Sequence, residues 1–243
     1  MAEHLAEHSD RVRRLFDAKA PTWSTKYACG GRLTGRPTRF AVALCYHVQA
    51  GGRVLDLGCG TGELSRAAAA AGMRVTGCDI SPEMLRRASA SDPGDVVDWV
   101  QLDLSWRTLP FESSAFDAVV AASVLEYVDD PSAVLGECAR MLRPGGVVLC
   151  TVPDLTHPIR WLEWLAAVIA RSLLPRVALR RWRSLEGYMV YLRISRQRHT
   201  ARWWHATAAP FGLRPVPWPT EPAEHSPLRL LTFARSQDTG GLS

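Results

Sequence analysis

The chain has 243 residues, 47% hydrophobic and 22% charged, with a formal net charge of +5. That balance suits one large α/β domain of soluble, globular type with a full core. The first ten residues are polar and hold no signal core, and the longest apolar stretch, 161–174, is broken by Glu163 and Arg171 and too short to span a bilayer, so a cytoplasmic chain is expected. Cysteines at 29, 45, 59, 78, 138 and 150 form no C-x-x-C pair, so reduced, mostly buried thiols are expected, with neither a zinc site nor a redox motif. The charge is uneven. Residues 155–205 hold ten arginines and two glutamates, a net +8, while the remainder is about −3. Such a segment is a solvated face or meets an acidic partner: nucleic acid, anionic lipid or an anionic substrate.

In chain order, 4–28 reads as a helix and then a loop, and 36–47 as a helix with Phe40, Leu44 and His47 near one face, ended by Gly51-Gly52. The run Val54-Leu55-Asp56-Leu57 then meets Gly58, Gly60 and Gly62, and a helix-prone stretch begins at Glu63. This is strand, tight turn and helix, a geometry that brings bare backbone against a nucleotide-like molecule. A dinucleotide fingerprint counted from Gly58 would place its third glycine at 63, where Glu63 stands, and no Walker lysine follows. Residues 73–78 read as a second strand ending at Asp79, 21 residues past Gly58, where a carboxylate is well placed to accept from both hydroxyls of a ribose, the alternative being a helix-entry or turn acid. Ser81-Pro82 opens a helix, as cap and first-turn proline. A third strand over 96–102 ends at Asp103, and a fourth covers 117–122. Asp130-Pro131 starts a helix to Leu142, and Arg143-Pro144-Gly145-Gly146 turns the chain into a fifth strand, 147–152. Alternating strands and helices imply a parallel sheet with right-handed crossovers.

After Pro153 the pattern changes. Trp161, Leu162, Leu165, Val168, Ile169 and Leu173 keep helical spacing, and a basic stretch, 176–183, follows. This insert reads as a helical cap over a substrate pocket. A helix over 200–209 carries Trp203, Trp204 and His205, and 228–235 is a last strand. The expected organisation is N-terminal helices forming a lid (1–50), a core (51–153), the cap (154–205), closing strands (206–236) and a disordered tail (237–243).

The acid-x-G-x-G-x-G pattern beginning at Asp56 resembles the first motif of class I S-adenosylmethionine-dependent methyltransferases. The phrase Leu15-Phe16-Asp17-Ala18-Lys19-Ala20-Pro21-Thr22-Trp23 is similar to the lead segment of the ubiquinone-type subgroup, which folds over the cofactor. Leu125-Glu126-Tyr127-Val128 and Leu142-Arg143-Pro144-Gly145-Gly146 agree too. The resemblance spans roughly 15–146. It implies a Rossmann-like, seven-stranded, mostly parallel sheet whose antiparallel last strand inserts between strands five and six, with a helical cap insert. It also implies S-adenosylmethionine (SAM) as cofactor, held by Trp23, Asp56, Gly58, Cys59, Gly60, Asp79, Ile80, Met84, Asp103, Leu104, Ser123 and Tyr127. Within that set Asp56, Gly58 and Gly60 serve the methionine end, Asp79 the ribose, and Asp103 with the Leu104 N–H the adenine. Ser123 and Glu126-Tyr127 would lie near the sulfonium.

The implied chemistry is in-line displacement at an activated methyl group, so the protein supplies alignment and exclusion of water, plus a base if the acceptor is a hydroxyl. His157, His199, His205 and Asp154 are the candidate bases. The segment Ala121-Ala122-Ser123-Val124 lacks the N/D-P-P-Y/F motif of amino-group methylation and the metal-binding acid of catechol-type enzymes, so no metal is expected and nucleic acid is disfavoured. Tryptophans 161, 164, 182, 203 and 204, with Tyr188 and Tyr191, favour a small hydrophobic acceptor. The arginines would receive an anionic group on it or a peripheral contact with an anionic membrane. The expected activity is methylation, foremost on oxygen, of a natural product, quinone or lipid precursor. Alternatives are a SAM-binding cyclase or accessory protein, and an RNA methyltransferase. The sequence does not fix the oligomeric state.

Overall fold

The computed structural model describes residues 2–31, 33–104, 108–162, 165, 191, 194–218 and 226–237, with side chains from residue 7 onward. The core is a seven-stranded sheet: β1 (Arg53–Leu57), β2 (Arg74–Asp79), β3 (Val97–Gln101), β4 (Phe116–Ala122), β5 (Leu142–Pro153), β6 (Leu213–Val216) and β7 (Leu228–Arg235). Its order is β3-β2-β1-β4-β5-β7-β6. β7 runs antiparallel to β5 and β6, and the remaining pairings are parallel. The antiparallel last strand therefore inserts between strands five and six, as the family resemblance implied.

The sheet separates two apolar layers because side chains alternate along each strand. Leu55, Val119, Val148 and Cys150 enter one layer, and Val54, Ala118, Val120, Val147 and Leu149 the other. Among the described residues six α-helices flank it: α1 (Ala2–Trp23), α2 (Arg36–His47), α3 (Glu63–Ala70), α4 (Pro82–Ala90), α5 (Pro131–Met141) and α6 (Ala201–Ala208). Phe40, Leu44 and Leu64 bring α2 and α3 onto one face, while Val134, Leu135 and Trp204 bring α5 and α6 onto the other. With both faces covered, the central strands read as continuous apolar runs rather than alternating ones.

Boundaries moved little. The sequence expected strand five over 147–152, but β5 starts at Leu142, because the turn 143–146 is absorbed as an irregularity between the Phe116↔Leu142 and Ala118↔Val147 pairings. Three helix starts, those of α4, α5 and α6, are fixed by side-chain caps. The side chains of Ser81, Asp130 and Thr200 accept from the N–H groups of Met84, Ala133 and Trp203 at 3.1, 3.0 and 3.2 Å. Asp130→Ala is therefore expected to cost about 1 kcal/mol in denaturant unfolding, and an unchanged midpoint would refute that role.

The centre of the anticipated cap, 166–190, lies outside the described residues, as does the tail 238–243. At the cap's leading edge, Trp161 is 63% exposed and Leu162 57%. Among the described residues no helix is long and apolar enough to cross a membrane.

Candidate functional site

The residues expected to hold the cofactor lie at the carboxyl ends of β1, β2, β3 and β4, with Trp23 at the end of α1. Beyond Leu57 the chain passes through Gly58, Gly60 and Gly62 at φ +69°, +58° and +79°, a left-handed run that ordinary residues adopt only at a cost. The loop is pinned to β2. Gly58 and Cys59 N–H both donate to the Cys78 carbonyl, at 2.8 and 3.0 Å, and Gly60 N–H donates to Asp79 Oδ2 at 2.9 Å. The expectation that these glycines are bare for a ligand needs refining. A Cβ on Gly58 would meet Val124 Cγ2 at 2.4 Å, and one on Gly62 would meet Trp99 Cη2 at 2.4 Å. At both positions the absent side chain makes room for the protein itself. At Gly60 the nearest neighbour is Trp23 Nε1, at 3.3 Å.

Two carboxyl groups underlie this loop. Asp56 is 2% exposed and accepts from the Ser65 hydroxyl at 2.5 Å. Burial, opposed by that bond and reinforced by the Asp79 charge, pushes its pKa up to about 7. Asp79 is 8% exposed. Burial pushes it up to about 6, against the Ser81 and Gly60 N–H groups that favour its charge. Each Asp79 oxygen takes one of those donors, so the carboxylate retains acceptor capacity for two more. Ile80 and Met84 are buried behind it. Asp103 is exposed and Leu104 half-buried just past β3, which is tied to β2 by Leu102 N–H donating to the Asp79 carbonyl at 2.9 Å.

Helix α1 closes over these strand ends. Its Asp17 accepts from the Ser81 hydroxyl at 2.6 Å. Buried His8 donates from Nε2 to the Tyr127 carbonyl at 2.8 Å. Phe16 meets Trp23 and Tyr127 edge-on, with ring centroids 5.4 and 5.1 Å apart. Lys26 Nζ stands 3.2 Å from the Trp23 ring centroid.

Sequence reasoning missed Arg36. Its guanidinium donates to Ser123 Oγ at 2.7 Å and Thr151 Oγ1 at 2.6 Å, at the ends of β4 and β5. Its charge also acts on Asp56 and on Tyr27. One signal was available: a cation in the first turn of α2 opposes the helix dipole, so its charge answers to something outside the helix. Ser123, the residue it holds, has φ +60°, a strained backbone of the kind that clusters at functional sites.

The candidate bases are each engaged locally. Asp154 accepts from the Thr156 N–H and hydroxyl at 3.0 and 2.8 Å and faces Arg229 at 3.4 Å. Burial raises its pKa, but these partners outweigh it and hold the carboxyl low. His157 Nδ1 accepts from Ile159 N–H at 3.2 Å. His199 stacks on Trp203 at 3.6 Å and bonds Gln197 Oε1 at 2.9 Å, and burial lowers its pKa. His205 sits edge-on to Phe233 of β7 at 5.8 Å. Among the described residues no three His, Cys, Asp or Glu side chains cluster as metal ligands.

A methyltransferase domain family model matches residues 55–150. The chain is 33% identical over 174 residues to a demethylmenaquinone methyltransferase of Tropheryma whipplei, covering 71% of this chain and 70% of that protein. It is 36% identical over 131 residues to a ubiquinone biosynthesis O-methyltransferase of Xanthomonas oryzae pv. oryzae, covering 52% of this chain and 54% of that one. Magnesium protoporphyrin IX methyltransferase from Synechocystis PCC 6803, solved with bound S-adenosylhomocysteine, shares the fold, with a TM-score of 0.69 at 20% identity over 93% of this chain and 98% of that one.

Proposed function

Since this chain belongs to the class I SAM-dependent methyltransferases, in the ubiquinone-type subgroup, we propose that it methylates a hydroxyl oxygen of a small hydrophobic phenol, a reduced quinone foremost. Both curated relatives are named for quinones, which supports a quinone-type acceptor, and the one named an O-methyltransferase supports oxygen as the atom methylated. The observation that carries the cofactor assignment is Asp79: a buried carboxylate with spare acceptor capacity, fixed beside three left-handed glycines.

The residues present fit the cofactor. Asp79 would take the ribose hydroxyls, and Asp103 with the Leu104 N–H the adenine. Cys59, Ile80 and Met84 would back the nucleoside. Gly58, Gly60 and Asp56 would shape the methionine end, where Arg36 is the cation placed to meet the amino-acid carboxylate. Trp23 would cover the bound molecule, and Ser123 and Tyr127 would flank the reacting centre. When bound, SAM supplies an electrophilic methyl group. The chain's own work is to orient the acceptor, exclude water and accept a proton.

The cap over 154–205 would enclose the acceptor, its arginines meeting an anionic substituent or an anionic membrane surface. Six free cysteines support a reducing, cytoplasmic setting. The test is incubation with methyl-labelled SAM and short-chain hydroquinones, alongside the same compounds oxidised. Label in an aryl methyl ether, from the hydroquinones alone, is expected. Label on carbon, or none, would overturn the oxygen assignment.

A further inference from the structure

Just past β4 lies a buried polar cluster that cofactor binding leaves unused. Glu126 is 2% exposed. Its Oε2 accepts from the Tyr191 hydroxyl at 3.0 Å and the Ser195 hydroxyl at 2.8 Å. Arg198 and Arg160 add positive charge nearby, and Tyr127 adjoins it in the chain. A buried carboxylate is costly unless hydrogen-bonded and balanced by charge, and this one is both.

Tyr191 is the only partly buried member of the Glu126–Tyr191–Ser195 group. Its ring meets Tyr127 at 6.1 Å, and Tyr127 meets Phe16, which meets Trp23 above Gly60. An aromatic wall thus runs from the glycine loop to the Tyr191 ring. Two cations from different elements flank that ring: Lys19 Nζ of α1 at 5.8 Å and Arg198 Cζ at 6.0 Å from its centroid.

We propose that Tyr191 and Glu126 form the proton-accepting pair of the transfer, with the Tyr191 hydroxyl meeting the acceptor O–H and the Glu126 carboxylate taking the proton through it. The proposal rests on the reading above that the acceptor is a hydroxyl. The acceptor proton moves to Tyr191 oxygen as the Tyr191 proton moves to Glu126. The acceptor oxygen forms the new C–O bond with its lone pair, and the C–S bond breaks with its electron pair left on sulfur. Glu126 then returns the proton to water through Tyr191.

Burial raises the Glu126 pKa against the Ser195 and Tyr191 bonds and the arginine charges, which brings a carboxylate closer to useful basicity at neutral pH. The Tyr191 phenol, pushed up to about 12 chiefly by burial, relays the proton rather than keeping its own charge. Lys19 and Arg198 are placed to steady negative charge developing on the acceptor oxygen.

The test uses full-length protein, Tyr191→Phe, Glu126→Gln and Glu126→Asp, with two acceptor probes: an unactivated hydroquinone and the acidic chromophore 4-nitrocatechol. With S-adenosylhomocysteine present, at a pH where free 4-nitrocatechol is neutral, the native chain should shift its absorbance to the ionised form. Tyr191→Phe and Glu126→Gln should not, and Glu126→Asp should do so in part. Methylation of the hydroquinone should fall roughly a hundredfold in Tyr191→Phe and Glu126→Gln, and that of 4-nitrocatechol, already acidic, only about threefold. A native chain that leaves the chromophore unchanged, or variants that slow both acceptors equally, would overturn the pair. Ionisation by the native chain but not by the variants, without transfer to any hydroxyl, would refute the oxygen assignment and with it the pair's part in the transfer, while separating that failure from a pair that takes no proton.

Discussion

Gly58→Ala is expected to cost about 2–4 kcal/mol of folding stability, combining a left-handed residue with overpacking. It should also weaken SAM binding at least about tenfold, roughly 1.4 kcal/mol. The backbone there is at φ +69°, where a Cβ crowds the following carbonyl. The same Cβ would lie 2.4 Å from Val124 Cγ2, inside any tolerable contact. Val124 is itself buried, so the clash is relieved only by shifting the loop or the chain after β4. The loop cannot shift alone, because Gly58 and Cys59 share the Cys78 carbonyl and Gly60 is bonded to Asp79. The strain therefore reaches the carboxylate assigned to the ribose. Two variants separate the causes. Gly58→Ala with Val124→Ala should recover the packing part of the loss and leave the backbone part, a favourable coupling in a double-mutant cycle. Denaturant midpoints that simply add would show that the two side chains do not compete for one space.

That contact also marks the limit of what could be read without coordinates. Three glycines ending an apolar strand announce a sharp, left-handed turn before a helix. Nothing local reveals that Val124 and Trp99, 66 and 37 residues away from Gly58 and Gly62, fill two of the spaces they leave. Helix α2 was legible to the residue, Arg36–His47, because proline near its start and the phase of Phe40 and Leu44 are local facts. The destination of the Arg36 side chain was not, since Ser123 and Thr151 reach it only once β4 and β5 are paired. The histidines show the same divide. Composition offers them as bases, and their neighbours, Phe233 for His205 and Trp203 with Gln197 for His199, are seen only in the fold. Glu126 was recognisable as lying past the fourth strand, whereas its partners Tyr191 and Ser195 stand 65 and 69 residues further on. The parallel character of the sheet was legible because alternating strands and helices leave few right-handed topologies, while the place of its antiparallel last strand came from the family resemblance.

Asp79 carries the second large expectation. Asp79→Ala should weaken SAM binding by about 1–3 kcal/mol, the cost of an acceptor lost to buried donors. Its pH dependence distinguishes this group from its neighbours. Ribose hydroxyls donate, so they favour the ionised carboxylate, and in the ligand-free chain that form must be generated below a pKa of about 6. Affinity should thus be flat above pH 6 and fall about tenfold per unit below it, roughly a hundredfold by pH 4. Folding stability should run the other way. Both Asp79 and Asp56 have folded pKa values raised above the ordinary carboxyl range, to about 6 and about 7. Their contribution is complete below the unfolded value, near 3.9, and is lost as pH rises through those folded values. The ligand-free chain should melt at a higher temperature at pH 5 than at pH 8, with Asp56 and Asp79 titrating as a coupled pair. Bound SAM should narrow that difference by favouring charge on Asp79. In Asp79→Ala the steep acid limb of binding should disappear while the Asp56 share of the melting trend survives. Calorimetric titrations from pH 4 to 8, paired with melting scans, measure both slopes. An acid limb that persists in Asp79→Ala would move the ribose contact to another residue.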